Sequence, residues 1–168
     1  RHGIRTLVTS CPICLKVFRE EYRLDGIRVI HHSQYILELL SAGRLRLERG
    51  AASYAYHDPC ELGRGSGIYD EPRAVVKACG AQVVEMERTR EKSFCCGAGG
   101  GRMWLEEREG RRMNVLRAEQ ARDTGADAVA TACPFCLSML EDGLASQDDA
   151  LPVRDIAELL SDALALSR

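Results

Sequence analysis

Short apolar runs that end in turn residues alternate with helix-period segments along the whole chain. Thr6-Leu7-Val8-Thr9 reads as a buried strand, and Pro12 to about Tyr22 as a helix that opens on a favourable proline. Ile27–Ile30 is a second strand. Ser33–Ala42 is a helix with Tyr35, Ile36, Leu39 and Leu40 as its apolar positions and Gly43 to end it. Leu45–Gly50 has the charge density of a linker or surface turn. Ser53–His57 is a strand delivering Asp58-Pro59-Cys60, Leu62–Gly67 a loop, Asp70 to Cys79 a helix with Gly80 behind it, and Gln82–Met86 a strand. Beyond the polar stretch Glu87–Ser93 and the run Phe94-Cys95-Cys96-Gly97-Ala98-Gly99-Gly100-Gly101-Arg102, two helices follow, Met103–Glu109 and Arg112–Asp123. The second carries Met113, Leu116 and Ala121 on one face. Ala128–Thr131 is a strand feeding Cys133-Pro134-Phe135-Cys136 and a further helix, and Val153–Leu166 closes the chain as an amphipathic helix. Strands alternating with helices predict an α/β fold with mainly parallel sheets flanked by helices.

An internal repeat organises these elements. Leu7–Leu15, with Ser10-Cys11-Pro12-Ile13-Cys14 at its centre, matches Val129–Leu137 at an offset of 122, and Leu39–Ala42 matches Leu159–Asp162 at an offset of 120. Residues 51–168 therefore read as one complete cysteine-rich unit and residues 1–50 as the C-terminal half of a preceding copy, the two related by a pseudo-twofold. With Arg1 in place of a methionine, the expectation is a C-terminal fragment of a longer protein.

Composition narrows the function. The 168 residues are 45% hydrophobic and 29% charged with a net charge of −2, so there is no basic footprint for nucleic acid or an anionic membrane. No apolar run approaches the roughly 20 residues of a membrane span, and no signal-peptide block opens the chain. The expected setting is cytoplasmic, with membrane contact only through a partner or a missing domain. Eight cysteines in such a chain point to metal or redox chemistry before disulfides.

The spacing of those cysteines sharpens the point. Neighbouring Cys95 and Cys96 cannot close an ordinary disulfide with each other without severe strain, and the glycines after them let backbone approach something bulky. Thirty-four residues separate Cys60 from the pair and 36 separate the pair from Cys133, so five thiols can converge on a metal or an iron–sulfur cluster. Gly97, Gly99, Gly100 and Gly101 are candidates to aim N–H groups at it. Cys11 falls at a helix N-cap, where the dipole favours a thiolate. A phosphate-binding loop fits poorly, since Arg102 stands where a dinucleotide fingerprint needs its third glycine. A Cys-Pro-x-Cys dithiol and a structural zinc site remain open, zinc being the stronger rival because it accepts tetrahedral thiolate sets. Cys79 and Trp104 read as core residues, His57 as structural before proton donor, and Arg64 and Arg102 as flanking cations.

His57-Asp58-Pro59-Cys60-Glu61-Leu62-Gly63-Arg64, Cys95-Cys96-Gly97-Ala98-Gly99-Gly100-Gly101 and Cys133-Pro134-Phe135-Cys136 resemble the cysteine-rich CCG domain. That domain occurs in heterodisulfide reductase catalytic subunits and in the iron–sulfur subunits of glycerol-3-phosphate, lactate and glycolate oxidoreductases. The glutamate after Cys60 departs slightly from the family pattern. The resemblance implies a non-cubane 4Fe–4S cluster, or a different metal in some relatives, held by Cys60, Cys95, Cys96, Cys133 and Cys136. It makes Cys11 and Cys14 the last two ligands of a second, incomplete site. It also implies an oxidoreductase module carrying electrons to a disulfide, or between a dehydrogenase and a quinone or flavin partner. The donor or acceptor would be a subunit or domain outside this chain. The alternative function is a zinc-binding interaction module without catalysis.

Overall fold

The structure is a computed structural model describing residues 3–48, 50–105, 110–145 and 151–164. Strand β1 (Thr6–Thr9) leads to α1 (Pro12–Lys16), which widens into a π turn over Val17–Glu21, and then to β2 (Arg28–His31) and α2 (His32–Ser41). The elements β3 (Ser53–Tyr56), α3 (Cys60–Gly63), α4 (Asp70–Ala78) and β4 (Gln82–Glu85) follow. After the cysteine pair come α5 (Met113–Arg122), β5 (Ala128–Thr131), α6 (Pro134–Ala145), β6 (Val153–Asp155) and α7 (Ile156–Ala163). All strand pairs are parallel: β1 with β2, and a four-stranded sheet in the order β4-β3-β5-β6. The α/β architecture expected from the alternation is the one found.

The central strands β3 and β5 split their residues between two cores, as a period of two requires. Tyr56 and Ala130 face a core shared with Val75 and Val76 of α4, Leu159 of α7 and Ile36 of α2. Ala55 and Val129 face the opposite core with Ala118 and Ala121 of α5 and Leu140 of α6. Leu15 of α1 is fully buried in the first core, an anchor worth about 2 kcal/mol by transfer. Leu45 and Leu47 pack there too, and Leu47 bridges to Leu164, so residues 45–47 are tied down along one edge.

Four local expectations are corrected. Val153–Leu166 does not begin as a helix: its first three residues are β6, paired with β5 through Val129↔Val153, and α7 begins at Ile156 under an Asp155 cap. A three-residue strand is too short to display a period, and residues 165–166 lie outside the described residues. Met103 and Trp104 close a 3-10 turn that starts at Gly99, because Gly100 and Gly101 take φ of 65° and 76°, while 106–109 lie outside the described residues. Trp104 is 76% exposed and is not core. The 62–67 loop is preceded by a helical turn that already includes Leu62 and Gly63.

The order β1-α1-β2-α2 recurs as β5-α6-β6-α7. Both second strands run straight into a helix through a capping box, His31 with Gln34 and Asp155 with Glu158. Those caps stand 155 − 31 = 124 residues apart, so the Leu-Leu-Ser match at 120 is displaced by about one helical turn. His32 Nε2 meets Asp155 Oδ1 at 3.1 Å, which joins the two segments at their caps.

Candidate metal centre

In the larger sheet β3 connects outward to β4, whereas β5 connects outward to β6 on the other side. The gap between the carboxyl ends of β3 and β5 is thus a topological switch point, where open α/β sheets place their ligands. Pairing of Tyr56 with Ala130 brings the two ends side by side, and the His57 N–H extends the ladder to the Ala130 carbonyl at 2.8 Å. Cys60 follows from β3 as the first residue of α3, behind Pro59. Cys133 immediately precedes α6, whose first turn carries Cys136.

A buried charge network places the cysteine pair opposite these ends. Asp58 accepts from Arg73 Nη1 and Nη2 at 2.7 and 2.8 Å, from Thr89 Oγ1 at 3.0 Å and from the Arg90 N–H at 2.8 Å. Arg73 also grips Glu85 at 2.6 and 2.8 Å and lies 4.6 Å from the Tyr56 ring centroid. These bonds hold Asp58 and Glu85 below their usual pKa despite burial. Arg64 donates to the Ser93 carbonyl at 2.8 Å, so this flanking cation supports the loop entering Phe94-Cys95-Cys96. Arg88 lies 5.1 Å from the Phe94 ring.

All eight cysteines are free thiols. Cys136 Sγ lies 3.3 Å from Cys96 Sγ, and Cys60 with Cys95, Cys95 with Cys96, and Cys133 with Cys136 shift one another's titration. Five thiolates at this spacing would repel strongly, so the set shares protons. Cys95 drops to about 2 because the Cys60 and Cys96 thiols donate to it, with the Gly97 N–H helping at 3.3 Å. Cys133 is lowered by the Cys136 thiol and by the Phe135 and Cys136 N–H groups. Cys60 and Cys136 are raised as donors. Cys96 receives the Cys136 proton, yet donation to Cys95 and burial leave it at about 11.

The glycines divide into two roles. Gly97 sits at φ 89°, and a Cβ there would come within 3.1 Å of Met113 Cβ. Its N–H reaches Cys95, and that of Ala98 reaches Cys96. Gly99, Gly100 and Gly101 instead line a cleft of about 470 Å³ that contains Cys60, Cys95, Cys96, Cys133 and Cys136. Ile13, Trp104 and Phe135, all exposed, stand at its rim, and Lys16 reaches across it to Glu61 at 3.7 Å.

Cys11 and Cys14 stand apart from the cleft lining. Cys11 caps α1, its Sγ accepting the Cys14 N–H at 3.4 Å. Burial nevertheless pushes Cys11 up to about 11, with the fields of Cys14 and Cys133 adding to it. Burial thus opposes the thiolate that the cap favours, a five-residue helix offering the Cys11 sulfur a single N–H.

His57 and Arg117 lie behind the sulfurs. A ring nitrogen of His57 and the Sγ atoms of Cys96 and Cys136 all fall within 4.8 Å of one another. Arg117 is fully buried and donates from Nε to His57 Nδ1 at 3.0 Å and from Nη1 to the Arg88 carbonyl and Gln120 Oε1 at 2.9 and 2.7 Å. Burial, then the Arg117 charge, lowers His57 to about 3; burial also lowers Arg117 to about 10, so it keeps its proton at neutral pH. The apolar pattern of α5 selects Met113, Leu116 and Ala121 and so passes over Arg117. Asn114, Arg117, Ala118 and Ala121 form the buried face instead. Their i, i+3, i+4, i+7 spacing is the available signal, hidden because two of the four are polar.

The family model for the CCG cysteine-rich domain matches residues 54–141. A probable iron–sulfur-binding oxidoreductase, FadF, of Bacillus subtilis is 40% identical over 98% of this chain and 24% of its own length. The EtfAB:quinone oxidoreductase of Syntrophomonas wolfei is 38% identical over 97% of this chain and 24% of its own length. A dihydromethanophenazine:CoB–CoM heterodisulfide reductase subunit of Methanosarcina barkeri is 35% identical over 99% of this chain and 42% of its own length. The chain thus spans from about a quarter to under half of the length of these relatives. With its signature cysteines gathered in one cleft and the family model covering more than half its length, the chain belongs to the CCG cysteine-rich domain family.

Proposed function

We propose that the chain is an iron–sulfur, electron-carrying domain of an oxidoreductase, with Cys60, Cys95, Cys96, Cys133 and Cys136 holding a non-cubane 4Fe–4S cluster. The observation carrying this reading is the meeting of five thiols, from three loops, in one cleft at the switch point of the sheet. An ordinary cluster takes four thiolates, so a fifth suits a cluster of another shape. The donor set is all sulfur apart from His57, and glycines without Cβ atoms make the opposite wall. Arg117, fully buried and with Nη2 unpartnered among the described residues, places a cation next to His57, which suits an anionic cluster at the cysteines. When bound, such a cluster supplies one-electron transfer, and in a disulfide-reducing context an iron able to capture a thiolate.

The protein groups act around it. Gly97 and Ala98 hold N–H donors on Cys95 and Cys96, the Asp58–Arg73 network fixes one cysteine loop against another, and the exposed rim at Ile13, Trp104 and Phe135 gives access. The electron donor or acceptor is a subunit or domain outside this chain, and the setting is the cytoplasm or its membrane face, reached through that partner. Among the described residues no helix is long and apolar enough to cross a membrane. Residues 1–50 are read as the end of a preceding repeat whose Cys11 and Cys14 contribute to a second site completed by cysteines elsewhere.

One observation favours a rival: His57, Cys96 and Cys136 are close enough to hold a single zinc ion in a structural module. Anaerobic reconstitution with iron and sulfide, followed by metal analysis and electron paramagnetic resonance, separates the two. Iron and sulfide uptake that falls sharply in Cys60→Ser and Cys96→Ser is expected. Stoichiometric zinc with no iron uptake would overturn the iron–sulfur reading.

A further inference from the structure

Arg117 is an expensive residue to bury, and none of its hydrogen bonds goes to an acid. Its partners are a histidine ring, a backbone carbonyl and an amide oxygen, all neutral, and Nη2 has no partner among the described residues. The carboxylates whose fields reach it, Asp58 and Glu85, are already engaged by Arg73, and Arg88 adds repulsion. The cysteine set lies next to it, since the His57 ring that accepts from Arg117 has a nitrogen within 4.8 Å of the Cys96 and Cys136 sulfurs. Negative charge gathered on that set would compensate this guanidinium.

Its bond to His57 has a second consequence. An arginine N–H only donates, so His57 Nδ1, 3.0 Å from Arg117 Nε, must accept. The proton of the neutral ring then sits on Nε2, and neither nitrogen keeps a lone pair for a metal. Metal-binding histidines are held the opposite way, their second nitrogen donating to a carboxylate or carbonyl.

We infer that Arg117 is a positioning residue of the cysteine centre: it locks His57 as the Nε2–H tautomer, so that the ring beside the Cys96 and Cys136 sulfurs has no lone pair with which to ligate a metal, and it sets a buried positive charge next to the cysteine set. This deepens the iron–sulfur reading and rests on it for the effect on potential. The tautomer itself does not depend on iron. A nearby positive charge favours the reduced cluster.

Two measurements on the full chain test the inference. Two-bond proton–nitrogen spectra of 15N-histidine-labelled, reduced, metal-free protein should show His57, assigned by its loss in His57→Gln, with Nδ1 bare and Nε2 protonated at neutral pH. The Nδ1–H tautomer would overturn the inference whether or not any variant folds. Redox titration of the iron-loaded protein by electron paramagnetic resonance should show Arg117→Gln and Arg117→Met shifting the reduction equilibrium at least tenfold toward the oxidised form, about 59 mV for one electron. Arg117→Lys, which keeps the charge, should recover most of that shift. Equal potentials in all three variants would overturn the charge role, and zinc held through a His57 nitrogen would overturn the tautomer lock. Failure of the wild type to take up iron and sulfide would instead sink the iron–sulfur reading and leave the tautomer result standing.

Discussion

Replacing Arg73 by methionine tests whether the site is held together by one buried ion pair. Arg73 and Asp58 are each 4% exposed, and their bonds at 2.7 and 2.8 Å are joined on Asp58 only by the Thr89 hydroxyl and the Arg90 N–H. Arg73→Met leaves Asp58 as a buried carboxylate without its cation, which costs about 3–5 kcal/mol. Glu85, 40% exposed, rehydrates and adds little. Asp58→Asn is milder, because the amide oxygen still accepts and Arg73 keeps Glu85, so the loss is about 1.5–3 kcal/mol, that of a hydrogen bond to a charged group. The double variant contains no unpaired Asp58 charge. It should therefore be more stable than the sum of the single losses by about 1–3 kcal/mol. Urea unfolding of reduced, metal-free protein at neutral pH, followed by circular dichroism, measures all four corners of the cycle. Single losses that add to within about 0.5 kcal/mol would refute the reasoning. Because Thr89 and Arg90 lead toward Cys95 and Cys96, Arg73→Met should also lower iron uptake even where the chain still folds.

Gly143 in α6 faces α5 so closely that an added Cβ would meet the Asn114 carbonyl oxygen at 2.6 Å and its carbon at 2.8 Å. Gly143→Ala gains about 1 kcal/mol of helix propensity but overpacks against rigid backbone for about 1–3 kcal/mol, so the thermal midpoint should fall; a rise would disprove the tight crossing. Burial, with His32 alongside and only partly offset by Asp155, pulls His31 down to about 3. Its folded pKa thus lies below the unfolded value, the unfolded chain binds the extra proton, and this stability is present above pH 6.5 and lost at about 1.4 kcal/mol per unit as pH falls toward 3. His31→Asn retains a capping acceptor for Ser33 and should flatten the acid side of the stability profile by that slope, measured by urea unfolding between pH 7 and 5; an unchanged slope would assign the acid sensitivity elsewhere.

Much of this protein is legible along the chain because its elements are short and well punctuated. Gly43 and Gly80 stop helices, Pro12 and Pro134 start them, and strand–turn units repeat around Cys11 and Cys133. Parallel pairing follows from the alternation of strands and helices. Where the pattern misleads, the reasons are local. β6 is three residues long and shows no period before Asp155 caps the next helix. Trp104 resembles core by chemistry, yet the positive φ angles of Gly100 and Gly101 turn the chain outward before it.

The spacing of Cys60, Cys95, Cys96, Cys133 and Cys136 singles out five thiols able to converge, while leaving iron–sulfur, zinc and dithiol chemistry open. Which cation and which histidine tautomer stand behind those thiols is decided only in three dimensions. Arg117 is 60 residues from His57 in sequence and on a helix whose buried face is half polar, so no pattern of apolar positions could select it. A buried charge is stabilised by what surrounds it from several elements at once, and only the packing of α5 across the ends of β3 and α6 determines that surrounding.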